Sequence, residues 1–317
     1  MMSTRMISFR PGSLVRGVSC FLAAAILLAA VRAAADEVAD QQALLSAKSP
    51  AIVTIKFVMK IKMAGSERET EAEINGAVID PGGLIICSNM QMGGFMRSFA
   101  RRQPGFTVTP TDLKVLIGDD NEGIKATLMA RDTDLDLAWV QIDDPGDRRF
   151  DWIDLSKAVS ARIGDPVYSV RRMGKHFDRV AAVVATRIAA HARKPRELLV
   201  PQESLRAALG LPVFAPGGGC LGVLITQMPD EDEDTGGFGG FSSRAEMIDG
   251  LVLPAAEVIR ATERARQSAK EQMSDEDEES AGGDDRDGDD PRDESAAESD
   301  KAPPAGKEGG KPAPDDE

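Results

Sequence analysis

Between residues 51 and 254 apolar and polar positions alternate with a period of two through a series of short segments. This is the pattern of strands that lay one face on a core. Ala51 to Lys62 is the clearest case, with Val53, Ile55, Phe57, Met59 and Ile61 on one face and Thr54, Lys56 and Lys60 on the other. Glu71 to Asp80, Leu84 to Ser88, Leu113 to Ile117, Ile124 to Ala130 and Leu137 to Ile142 follow, making a set of six with turn residues between them. A second set of six comprises Asp165 to Arg171, Val180 to Ala190, Leu198 to Pro201, Leu211 to Ala215, Cys220 to Gln227 and Gly250 to Pro254. The period changes only at the ends. Val38, Ala39, Leu44 and Leu45 read as a short helix stopped by Ser49-Pro50, and Ala256, Val258, Ile259, Thr262 and Ala265 read as a second helix over about 254–273. The expected fold is all-β with a C-terminal helix.

The two termini have different compositions. Residues 1–35 carry Arg5, Arg10 and Arg16, then an apolar run from Val18 to Val31, then Ala33-Ala34-Ala35. That is the layout of a secretory signal peptide. The run falls short of the roughly 20 residues a membrane span needs, so the expected product is exported, periplasmic or extracellular, without a span once the signal is cleaved. The net charge of −14 is concentrated at the other end: Ser268–Glu317 holds 19 acidic and 6 basic residues, residues 1–35 hold four basic ones, and about −5 is left for residues 36–267. Residues 274–317 are almost free of large apolar side chains, so burial cannot offset the backbone entropy of ordering, and a disordered acidic tail is expected. It suits a basic partner and disfavours nucleic acid.

Four motifs stand in order: Asn75 to Met92 (NGAVIDPGGLIICSNMQM), Asp132 to Asp143 (DTDLDLAWVQID), Ala208 to Ile225 (ALGLPVFAPGGGCLGVLI) and Asp249 to Pro254 (DGLVLP). Together they resemble the HtrA-like branch of the trypsin-like serine proteases over about residues 44–267. The resemblance implies a double six-stranded β-barrel, with a first barrel at about 50–143 and a second at about 163–254, in one domain spanning 36–267. Family members often continue into a PDZ domain at the point where the acidic tail begins here. In this register Met90 takes the place of the triad histidine, Asp136 that of the aspartate, Leu209 that of the serine, and Ala207 that of an oxyanion-hole glycine. A thioether has no titrating nitrogen and cannot take a proton from an attacking hydroxyl. Asp136 is left with no imidazole to orient. The resemblance therefore leads to a pseudoprotease that binds a protein or peptide segment in the groove between its barrels.

The alternative is an active serine endopeptidase with a non-standard site, using Ser204 with His176 or His191, the two histidines of the chain. Neither histidine lies at a triad motif, and Ser204 lacks the small neighbours of a strained nucleophile turn. Cys87 and Cys220 remain after signal removal and are read as buried thiols, with pairing left open. No cofactor is expected. Close Cys/His ligand spacing is absent, and the one calcium-like run, Asp230, Asp232 and Asp234 within Pro229 to Ser243, has its glycine one place late and no downstream glutamate. Residues 93–110, with Arg97, Arg101, Arg102, Phe95, Phe99 and Phe106, are expected to form a loop.

Overall fold

The computed structural model describes residues 36–63, 65–94, 96–97, 105–227 and 248–281. The signal segment, Arg101, Arg102, Phe95 and Phe99 of the loop, the Asp230, Asp232 and Asp234 run and residues 282–317 of the tail lie outside them. Strands β1 (Ile52–Met63), β2 (Ser66–Val78), β3 (Leu84–Ser88), β4 (Thr107–Leu116), β5 (Ile124–Asp132) and β6 (Leu137–Ile142) close into an antiparallel barrel in the order β1-β2-β3-β6-β5-β4. Strands β7 (Pro166–Arg172), β8 (Ala181–Ala192), β9 (Leu198–Pro201), β10 (Pro212–Phe214), β11 (Cys220–Gln227) and β12 (Ile248–Pro254) close into a second. Its order, β7-β8-β9-β12-β11-β10, repeats that of the first. Helix α1 spans residues 36–48, and α2 spans Ala255–Ala281.

Neighbouring residues on one strand feed different cores. Val53, Ile85 and Val140 point into the first barrel, while Ile52, Ile86 and Trp139 join a second cluster with the other barrel and with Val258, Ala261 and Ala265 of α2. Burial of both faces is why β3 is apolar without interruption until Ser88. The Trp139 indole N–H donates to Thr262 Oγ1 at 3.0 Å, and this bond joins α2 to the first barrel.

Three elements run further than their sequence pattern suggests. β2 starts at Ser66 instead of Glu71, because its polar half pairs residue for residue with the lysine-rich end of β1, with ion pairs Lys56–Glu71, Lys60–Glu69 and Lys62–Glu67. β4 starts at Thr107, inside the expected loop, and its Pro110 lies opposite Met59. The β4–β5 pairing is confined to Lys114 and Val115, so the first half of β4 is an edge, where a proline's missing N–H is tolerated. α2 continues eight residues past Met273, into the stretch expected to be disordered, where glutamate and alanine favour helix.

The barrels meet across a polar seam. Arg179, only 4% exposed and at φ 50°, forks onto Glu73 of β2 at 2.7 and 3.3 Å and onto Asn121 Oδ1 at 2.8 Å. The Asn75 side chain exchanges two hydrogen bonds with the Arg172 backbone at 2.7 and 3.2 Å. The Arg172 guanidinium donates to the carbonyls of Ser49, Ile52 and Arg179. Truncating a partner here would leave buried donors orphaned.

Candidate functional site

The four motifs converge. β3 ends at Ser88 and the chain turns through Asn89 and Met90, while β6 begins one residue after Asp136. Asp136 is 2% exposed and sits at φ 53°, a left-handed conformation that aspartate tolerates better than most residues. Its carbonyl accepts from the Asn89 N–H at 3.1 Å. Its carboxylate accepts from the Met90 N–H at 2.7 Å, from the Ser88 hydroxyl at 3.1 Å and from the Thr226 N–H of β11 at 3.0 Å. The carboxyl thus joins the two barrels. Burial pushes its pKa up to about 6, outweighing the downward pull of the Met90 and Thr226 amides and the Ser88 hydroxyl.

The third station packs onto the first. Gly210, at φ 79°, lies so close to β3 that a Cβ built on it would stand 2.2 Å from the Ser88 nitrogen and 2.7 Å from the Cys87 carbonyl carbon. Ala207 is exposed within a single turn of 3-10 helix over Arg206–Ala208, and Leu209, which follows that turn, is 8% exposed. That turn directs the Leu209 N–H at the Arg206 carbonyl, 3.4 Å away. An oxyanion hole needs its amides aimed at the reacting oxygen, and here this amide has an internal acceptor. The structure therefore brings together Met90, Asp136, Leu209–Gly210 and Thr226, while Ala207, two residues before Leu209, is exposed.

The Ser204 alternative is not assembled. Gln202 and Glu203 donate to the Arg187 carbonyl and Thr186 Oγ1, which sets Ser204 beside the middle of β8. His191 lies five residues further along that strand, about 17 Å at the strand rise, and His176 lies in the turn five residues before its start. All three side chains are exposed. They occupy separate places.

Residues to which the sequence analysis gave no role complete the site. Ser88 and Thr226 satisfy Asp136, and the only sequence signal for Ser88 was a hydroxyl closing an apolar strand. Arg131 on β5 donates through Nη1 to Asn89 Oδ1 at 3.0 Å and to the Met92 carbonyl at 3.3 Å, bracing the turn that carries Met90. Its Nε and Nη2 are buried and find no partner among the described residues, and burial lowers its pKa to about 10, with Arg97 adding in the same direction. Among the described residues no group of three or more His, Cys, Asp or Glu could hold a metal ion, and no helix is long and apolar enough to cross a membrane.

Cys87 and Cys220 are both free and buried. The Cys87 thiol faces Met92 Sδ at 3.4 Å, and burial raises the thiols to about 12 and about 11 respectively. Only thiolates react quickly with disulfide reagents. The folded chain from Asp36 onward, which lacks Cys20, should accordingly leave both cysteines unmodified by Ellman's reagent, with two thiols released on unfolding; rapid native labelling would contradict this burial.

No protein-family model matches the sequence, and no curated protein matches it. Among solved structures, the crystal structure of Deg5 is similar at 16% identity over 71% of this chain and 92% of that one, with a TM-score of 0.48. The MamO protease domain from Magnetospirillum magneticum, in its apo form, is similar at 14% identity over 68% of this chain and 97% of that one, with a TM-score of 0.42. Two closed six-stranded barrels with one repeated strand order, with the motif residues gathered where they meet, give this chain the double β-barrel architecture that its motifs' resemblance implies.

Proposed function

We propose that the chain is an exported, HtrA-like pseudoprotease that acts by binding an extended peptide or a partner protein in its interbarrel groove. The observation that carries the reading is the bonding of Asp136: its carboxylate is taken up by Met90, Ser88 and Thr226, and the residue in the base position offers a thioether. The buried Leu209 side chain and the inward-turned Leu209 amide support it further. On this reading, with neither base nor nucleophile nor aimed amide, what is left to the groove between the barrels is binding. Shape suffices for strand addition, in which main-chain hydrogen bonds supply affinity and side-chain pockets supply selectivity. The acidic tail acts as a solubilising segment with affinity for basic partners.

The test uses an array of extended peptides with the mature chain from Asp36 onward, followed by fluorescence polarisation on the best binders. Ala207→Arg places a bulky cation on an exposed residue two positions before Leu209 and is expected to weaken those peptides at least about tenfold without loss of fold. Peptide affinity indifferent to Ala207→Arg and to Met90→Lys would place binding elsewhere.

A further inference from the structure

A cavity of about 470 Å³ opens where β1, β2 and β5 meet the segment that follows the first barrel. Val53 and Val78 of its lining belong to the first barrel's core, and Ile117, Ile124 and Phe150 pack on that core while remaining partly exposed. Pro50 completes the apolar wall. Arg148 and Arg149 stand exposed at the rim and form no salt bridge among the described residues, although Arg149 is near enough to Asp80 to help lower that carboxyl. A third guanidinium, that of Arg172, also lines the cavity; it donates to three carbonyls and forms no salt bridge among the described residues, although Asp119 is near enough to favour its charge. Asp151 is the one carboxylate in the lining.

These features specify an occupant. The volume lies in the range of small-ligand sites, and barrel mouths are a usual place for them. A peptide would bring backbone donors and acceptors that an aliphatic wall cannot satisfy, at a cost of kilocalories for each buried orphan. An unbranched hydrocarbon brings none. The excess positive charge at the rim calls for a single anionic head, and paired guanidinium groups match a carboxylate in geometry. We infer that this cavity takes the alkyl chain of a long-chain fatty acid anion, with Arg148 and Arg149 holding its carboxylate.

The experiment titrates the mature chain with a dansylated fatty acid, whose emission rises and shifts to the blue in an apolar site, then displaces it with oleate or with the neutral glycerol ester of oleic acid. One saturable site is expected, emptied by oleate in the micromolar range and at least about tenfold less readily by the ester. Arg148→Glu with Arg149→Glu, both exposed and safe for folding, should weaken oleate by a similar factor. Ile124→Glu, checked for fold by circular dichroism, should abolish the fluorescence change. Absence of a saturable site, equal displacement by acid and ester, or oleate affinity unaffected by the arginine pair would each overturn the proposal.

Discussion

Gly210→Ala should destabilise the protein by more than about 3 kcal/mol, a drop of roughly 10 °C in melting temperature for a domain of this size, or prevent soluble expression altogether. Two costs combine. At φ 79° an alanine is strained by about 1 kcal/mol relative to glycine. The added methyl would also stand 2.2 Å from the Ser88 nitrogen and 3.0 Å from the Cys87 Cα, backbone atoms of β3 that cannot rotate away as a side chain can. Relief requires moving the segment that follows Leu209 off the first barrel, which also pulls on the Gly210 N–H bond to the Leu224 carbonyl at 2.7 Å. Gly174→Ala is the matching control, since φ there is −68° and a methyl meets nothing within 4 Å; it should shift stability by a few tenths of a kilocalorie at most. Thermal denaturation of the two variants side by side gives the comparison, and equal melting temperatures would refute the close approach.

Asp136→Ala is expected to cost about 3 kcal/mol or more, because it leaves the Met90 and Thr226 amides and the Ser88 hydroxyl without their acceptor in a buried seam. The same carboxyl gives a pH signature. Its ordinary value is 3.8 and the folded protein raises it to about 6, so across that interval the native state binds more protons than the unfolded chain. Stability contributed by this group is therefore full below about pH 4 and is lost as pH rises through 6, by about 3 kcal/mol in total. Asp136→Asn removes the titration while keeping the volume. Its amide must turn an N–H₂ toward one of the donors that the carboxylate accepts from, at a cost of about 1–3 kcal/mol, but the variant's stability between pH 4 and 6.5 should lack the decline seen in the native sequence. Urea denaturation at a series of pH values measures both curves. Parallel curves would mean that the buried carboxyl does not titrate in this window.

The alternation of β1 and the spacing of turn residues made twelve strands legible, and the repeated barrel order follows from that count together with the motifs. What escaped was set by pairing at a distance. The polar first half of β2 carries no apolar rhythm, and its strand character comes from lysines on β1 that supply cross-strand ion pairs. The start of β4 was hidden by Pro110, which reads as a strand breaker until the neighbouring edge is known to be unpaired. At the site, the register of Met90 and Asp136 could be read from local motifs, because each follows or precedes a strand by a fixed step. The sequence reading left Asp136 with nothing to orient, whereas in the fold it is a junction holding donors from two barrels. Thr226 lies 90 residues away in sequence and comes near only after the second barrel closes. Arg131, just past the expected end of its strand at Ala130, carried no signal of its own, and its contact with Asn89 spans 42 residues of sequence.

Loss of the base, the nucleophile and the aimed amide is the centre of the functional reading. The most direct measurement is exposure of the purified mature chain, from Asp36 onward, to a fluorophosphonate probe, with intact-mass detection and a parallel assay for casein cleavage. The account predicts no adduct and no cleavage from a protein whose circular dichroism is that of a folded β-barrel. A stoichiometric adduct on any serine, with casein degradation abolished by replacing that serine, would contradict it.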